Sequence, residues 1–351
     1  MSAGAHGGGV GEILVNESSA GAGAVDHLAS VVIPCIEVDP LTVRCATDCA
    51  ALSPGSEIQV LSDFPDTEGR LTHLAGVKTV VTGKVTIAAK RNLAARSTDR
   101  PYLAFIDSDA YPLPGWLPNA IAHLDREPAL WAVGGPNLSP TDCPLGERYV
   151  GCALKSPLVS GKWTYRKTIK PARQVDDLPS CNLIVRRKRF LEIGGMDEAL
   201  ITGEDMEFCA RLRAAGGNIL YAPDVLVHHK ARNLRSFIAQ RLTYGTSVPG
   251  LLLRRRNFDF LALSLPAIFV LFVISGSAGL FWPVYGHLWL TVMALYVVAL
   301  GIEAVRHSDR AVDVPGVFLA LFLGNIMPGI GTLGRLAGCF RDTKKIYRND
   351  Q

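Results

Sequence analysis

Residues 260 to 302 form a run of 43 that contains no Asp, Glu, Lys or Arg. One helix of that length would be about twice what the ~30 Å apolar core of a bilayer needs, so the run divides into two spans of about 20 residues each. Trp282, Pro283, Tyr285 and Gly286 fall at its middle, where a tight turn with interfacial aromatics belongs. The competing reading is a buried helical hairpin in a soluble core. A third uncharged stretch, 314–334, carries five glycines together with Pro315 and Pro328, a composition that can break a helix in the middle. Arg254, Arg255 and Arg256 precede the hairpin, while Arg335, Arg341, Lys344, Lys345 and Arg348 follow the third stretch. Both basic sets belong on the cytoplasmic side, which an odd number of full spans cannot satisfy. The expectation is two spans followed by a re-entrant or interface-lying segment, with a third full span as the alternative.

The remaining chain is long enough for one large domain or two smaller ones. Its basic residues gather from Lys230 to Arg256 and in the tail, beside the apolar segments, and the net charge is only +4. That placement suits anionic lipid headgroups and argues against a nucleic-acid partner. The eight cysteines show no C-x-x-C spacing and read as reduced core residues of a cytosolic domain. The first 28 residues are rich in Gly, Ala and Ser, lack the basic start and long apolar run of a signal peptide, and are expected to be disordered. Their GGGVG is not a phosphate loop, because no strand precedes it and no Gly-Lys-Ser/Thr follows.

From residue 29 onward short apolar runs alternate with amphipathic stretches. SVVIPCI, IQVLS, TVV, YLAFI and LWAVGG read as strands from their β-branched content and bounding turn residues. LTVRCATDCAAL, TIAAKRNLAARS and WLPNAIAHLDRE between them have helical periodicity. This alternation implies an α/β fold with a Rossmann-like, doubly wound, mainly parallel sheet, in which ligands bind beyond the carboxyl ends of the strands. Farther on, CNLIVRR, NILYAP and DVLVHHK read as strands, and DMEFCARLRAAGG as a helix ending on Gly216 and Gly217.

YLAFI runs straight into Asp107 and Asp109, which flank one serine. Two carboxylates so close repel, so the pair asks for solvent or for a cation between its oxygens. An ordinary turn built from Asp, Ser, Pro112 and Pro114 accounts for the residues equally well when they are taken alone. GED at 203–205 likewise reads either as a helix-capping element or as chemistry.

Taken together, these pieces resemble the family 2 glycosyltransferases, inverting enzymes of the GT-A fold, over roughly residues 29–250. SVVIPCIEVD is similar to the first strand and nucleotide loop of that family, which implies donor contacts for Pro34 and Glu37. LSDFPD implies that Asp63 faces the nucleotide base. AAKRNLAAR implies that Lys90, Arg91 and Asn92 line the donor site. DSDA is similar to the metal motif, which implies a Mg²⁺ or Mn²⁺ ion on the donor diphosphate, with Asp109 as the direct ligand and Asp107 nearer the sugar or ribose. His228 or His229 would join the metal or the diphosphate. The segment from PSCNLIVRR through GGMDE to GED is the most family-like of all. It implies Asp205 as catalytic base with Glu204 as second candidate, and an acceptor side carrying Asn182, Gly195, Asp197, Gln240 and Arg241. The stretch QRLTYG at 240–245 departs from the Gln-x-x-Arg-Trp motif of processive members, which implies addition of one or a few sugars.

The domain expectation is a disordered segment 1–28, a GT-A domain 29–232, juxtamembrane interface helices 233–258, a transmembrane hairpin 259–303 and a membrane segment with basic tail 304–351. The expected protein is a multi-pass enzyme of the cytoplasmic membrane, with its catalytic domain on the cytoplasmic side. Its partners would be a nucleotide-sugar donor, a lipid-linked or growing glycan acceptor and membrane lipids. Polyprenyl phosphate is the alternative acceptor, and a non-catalytic scaffold or a cytidylyltransferase-type enzyme are the other classes the pattern touches.

Overall fold

The computed structural model describes residues 28–140, 142–200, 203–254 and 263–340. The Gly/Ala/Ser-rich residues 1–27 and the basic residues Arg255, Arg256, Arg341, Lys344, Lys345 and Arg348 lie outside the described residues. The strands are β1 (Ala29–Pro34), β2 (Glu57–Ser62), β3 (Val77–Val81), β4 (Tyr102–Phe105), β5 (Ala110–Pro112), β6 (Leu130–Gly134), β7 (Asn137–Leu138), β8 (Arg173–Gln174), β9 (Leu183–Arg186), β10 (Asn218–Tyr221) and β11 (Val227–His229).

An eight-stranded sheet has the order β3-β2-β1-β4-β9-β6-β10-β8, and a smaller sheet has the order β5-β11-β7. The expected parallel arrangement holds for β3, β2, β1 and β4. Beyond them the sheet is mixed, because β9 enters antiparallel between β4 and β6. Side chains alternate across the sheet, as strand geometry requires. Val31 and Ile33 of β1 join one apolar cluster with Ala104 of β4, whereas Val32 joins Leu103 and Phe105 in the other. Helices cover both faces. Pro40–Leu52 starts on Asp39, whose carboxylate accepts from the Thr42 backbone N–H at 2.7 Å. Ile87–Arg96 starts on Thr86 in the same way. The expected strands and helices are therefore present, while β5, β7, β8 and the helices Leu145–Ala153 and Arg187–Glu192 add to them.

The apolar C-terminal part forms helices Leu265–Ser275, Pro283–His307 and Val314–Leu336. The turn expected at Trp282, Pro283, Tyr285 and Gly286 falls instead at Phe281 and Trp282, because Pro283 opens the helix that holds Tyr285 and Gly286, and the apolar helical stretch before it, Leu265–Leu280, is shorter than the expected span of about 20 residues. Residues 314–334 form one continuous helix through Pro328. Pro283–His307 and Ala311–Leu336 are long and apolar enough to cross a membrane, by length and composition. They differ in packing, since only 17% of the first window is buried against 39% of the second. Val314–Leu336 is the more buried because it crosses helix Leu234–Arg254 at glycines. A Cβ on Gly245 would stand 2.0 Å from the Pro328 carbonyl oxygen, and one on Gly331 would stand 2.2 Å from that of Leu242. Thr332 Oγ1 adds a hydrogen bond of 3.0 Å to the Gly245 carbonyl.

Candidate active site

The candidate residues Asp63, Asp107 and Asp109 lie past the carboxyl ends of β2 and β4. Asp107 and Asp109 follow β4 directly, in a turn closed by the Ala110 N–H to the Asp107 carbonyl at 3.0 Å. β5 then pairs antiparallel with β11, with Ala110 opposite His229 and Tyr111 opposite His228. That register brings His229 to Asp109, its Nε2 lying 3.2 Å from Oδ1 and 4.0 Å from Asp107 Oδ2. Strand alternation sends His228 the other way, to the Tyr111 hydroxyl at 3.2 Å, so the structure removes His228 from the expected metal set.

Arg91 joins the two acidic motifs. One of its amino groups donates to Asp107 Oδ1 at 2.7 Å and the other to Glu204 Oε1 at 2.9 Å, with only 1% of its side chain exposed. Burial pushes the Asp107 carboxyl above its usual range, more than Arg91 pulls it down. Glu204 is also raised by burial, with Arg91 opposing and Asp205 adding. Burial works against the charge of Asp109 as well, yet the facing His229 overrides it and holds that carboxyl below its usual value.

Glu204 and Asp205 open helix Glu204–Ala214, whose preceding residue Gly203 has φ +79, a left-handed conformation that favours glycine. Asp205 Oδ2 accepts from the Ser180 backbone N–H at 3.2 Å. Cys181, next in the chain, points into the carboxylate cluster. Its sulfur and the ligand atoms of Asp107 and His229 all lie within 4.8 Å of one another. The cysteine had read as an ordinary core residue, and burial does push its thiol pKa well up. Asp107, Asp109 and His229 offer carboxylate oxygens and one imidazole, a donor set that fits a divalent cation holding a diphosphate.

Asp63, at the end of β2, is paired with Lys90 at 2.5 Å, and Lys90 also donates to the Cys35 carbonyl. Pro34 ends β1 and is buried, whereas Glu37 is exposed in the loop after it. Two expected contacts need correction. Asn92 is spent on the fold rather than the donor, its amide donating to the Met196 carbonyl at 2.8 Å and accepting from the Met196 N–H at 2.8 Å. Asn182 has no exposed surface, accepting from Trp116 Nε1 at 2.9 Å and donating to the Val225 carbonyl at 2.8 Å, so it does not face an acceptor. Of the other acceptor-side candidates, Gly195 is buried against Asn92 and Asp197 is exposed. Gln240 and Arg241 lie on helix Leu234–Arg254, where the Arg241 guanidinium sits 4.9 Å above the Phe237 ring.

Two family models match the chain, "Glycosyl transferase family 2" over residues 30–194 and "Glycosyl transferase family group 2" over 178–323. The chain is 36% identical over 199 residues to the pre-mycofactocin glycosyltransferases of two Mycobacterium tuberculosis strains. That match takes in 56% of this chain and 39% of the relative, so the chain spans about two fifths of the curated relatives' length. Among solved structures it resembles a mannosyltransferase from Pyrobaculum calidifontis determined in complex with GDP-Man and Mn²⁺. There the TM-score is 0.57 at 16% identity, over 88% of this chain and 87% of the other, which is a likeness of fold.

Proposed function

The chain belongs to the family 2 glycosyltransferases, and on that footing we propose that it transfers a sugar, with inversion, from a nucleotide-sugar donor to a lipid-linked or growing glycan acceptor at the cytoplasmic face of a membrane. The observation that carries the reading is Arg91, which binds Asp107 of one acidic motif and Glu204 of the other and so brings donor and acceptor chemistry into one pocket.

In this reading the nucleotide lies along the ends of β1 and β2, with Asp63 towards its base and Lys90 fixing that carboxylate. Asp107, Asp109 and His229 would hold a Mg²⁺ or Mn²⁺ ion, whose positive charge would stabilise the leaving diphosphate. Asp205 keeps lone pairs beyond its bonds to the Ser180 and Met206 N–H groups and accepts the proton of the acceptor hydroxyl. As that oxygen bonds to C1, the bond from C1 to the diphosphate oxygen breaks on the opposite side, and the nucleoside diphosphate leaves with the electron pair. Glu204 is a weaker candidate for the base, because its carboxylate is already committed to Arg91.

The bare apolar surface of helix Pro283–His307, with Val284 and Leu280 each 85% exposed nearby, supports membrane anchoring. The experiment that tests the function screens the purified chain in detergent against UDP-, GDP- and dTDP-sugars with Mn²⁺, by thermal shift and donor hydrolysis. Stabilisation by at least one donor, lost with EDTA, is expected. No response to any donor would overturn the reading.

A further inference from the structure

Cys181 stands apart from the other buried cysteines. Cys35, Cys45, Cys49, Cys152 and Cys209 each belong to one of three apolar clusters, whereas Cys181, only 5% exposed, belongs to none of them. Among the described residues its thiol makes no hydrogen bond. Its backbone is fixed on both sides, because the Ser180 N–H donates to Asp205 Oδ2 and the Asn182 side chain is held between Trp116 and the Val225 carbonyl. The sulfur is thereby set against the acidic cluster, where it and one ligand atom each of Asp107 and His229 lie within 4.8 Å of one another. Arg91 takes Oδ1 of Asp107, while Oδ2 lies 4.0 Å from His229 Nε2. Asp109 Oδ1 lies 3.2 Å from the same nitrogen. His229 Nδ1 is buried with no hydrogen-bond partner, so no second bond commits the ring elsewhere.

These four side chains offer one sulfur, one imidazole and two carboxylates. Mg²⁺ and Mn²⁺ seek oxygen and have no need of the sulfur, whereas Zn²⁺ binds thiolate, imidazole and carboxylate together in a tetrahedron. With bonds of about 2.0–2.3 Å its ligand atoms stand about 3.3–3.7 Å apart, so Asp107, Cys181 and His229 need to close by only about 1 Å. We propose that Asp107, Asp109, Cys181 and His229 form a Zn²⁺ site that competes with the cation of the donor; the competition, though not the site, rests on the function proposed above. The thiol proton passes to solvent as the sulfur–zinc bond forms. Four protein ligands complete the tetrahedron and leave no position for a phosphate oxygen, so zinc closes the site to the nucleoside diphosphate. Cys181 confers the sensitivity to zinc and takes no part in transfer.

The test uses the full chain in detergent, as wild type, Cys181→Ala and Cys181→Ser, with Co²⁺ as the optical stand-in for Zn²⁺. A thiolate bonded to Co²⁺ absorbs in the near ultraviolet. The wild type should develop that band and lose it when Zn²⁺ is added, and both variants should lack it. Calorimetry should find Zn²⁺ bound at least about 100-fold more weakly by both variants, beyond the 10-fold to 100-fold cost of losing a group that only supports a ligand. Their Mn²⁺-dependent binding of UDP or GDP should stay within about 3-fold of wild type, which also reports that they are folded. Zn²⁺ equimolar with the protein should abolish that binding in the wild type alone. No band in the wild type, or the same band in Cys181→Ala, would overturn the site. Zinc bound through Cys181 with diphosphate binding intact would overturn the competition. A wild type that shows the band but binds neither UDP nor GDP with Mn²⁺ would sink the donor reading and leave the zinc site standing.

Discussion

Asp109 and His229 face each other at 3.2 Å, although one lies in the turn between the fourth and fifth strands and the other closes the last. His229→Ala should therefore weaken Mn²⁺-dependent nucleoside diphosphate binding by about 10-fold or more, within the range for losing a group that holds or orients a metal. His228→Ala, one residue away, should leave that binding within about 2-fold, because its ring packs on Tyr111. Calorimetry of both variants reads the difference, and equal effects would contradict the register argument.

Arg91→Met leaves Asp107 and Glu204 without their shared cation. Removing one partner of a buried pair costs about 3–5 kcal/mol, and the low end applies because a third of the Asp107 side chain still reaches solvent. A fall in thermal midpoint together with loss of nucleotide binding is expected. Arg91→Lys should recover little, since one ammonium cannot span both carboxylates as the guanidinium fork does. A lysine variant with wild-type stability would show that the bridge is dispensable.

Asp205→Asn keeps the shape of the site but accepts no proton. Transfer should drop by about 10²-fold to 10⁴-fold while diphosphate binding persists. Glu204→Gln should instead disturb Arg91 and lower stability and donor affinity together. Measuring turnover and nucleotide affinity side by side separates the two roles, and wild-type turnover in Asp205→Asn would pass the base assignment to Glu204.

Arg148 and Asp313 join helix Leu145–Ala153 to the start of the last helix by two hydrogen bonds, 2.6 and 2.7 Å long, with the aspartate side chain fully buried. Arg148→Met alone should be strongly destabilising, because it strands the carboxylate. The double variant Arg148→Met/Asp313→Leu should regain most of the loss, since two apolar groups need no partner. Denaturant unfolding of single and double variants gives the coupling, and additive losses would argue against a direct pair.

Reconstituted into lipid vesicles, the full chain should stay with the membrane through alkaline carbonate washing. Release into the supernatant would mean that the apolar surfaces of helices Pro283–His307 and Val314–Leu336 are covered by protein instead of lipid.

Much of this molecule is local information, which a sequence carries directly. The branched residues of β1, β2 and β4 and the Asp39 and Thr86 caps each settle their structure from neighbours a few residues away. So does the placing of Asp63, Asp107 and Asp109 at strand ends, and that of Glu204 and Asp205 at a helix start. What the tertiary structure alone decided involves partners remote in the chain. β9 could enter antiparallel only once β4 and β6 flanked it. The choice of His229 over His228 rests on the register between β5 and β11, where a slip of one residue would exchange their faces. Asn92 and Asn182 look like site residues in a line of text, but the carbonyls of Met196 and Val225 take their amides once the chain has folded. Arg91 became the bridge between two acidic motifs because packing converged elements whose spacing along the chain carries no signal of that meeting.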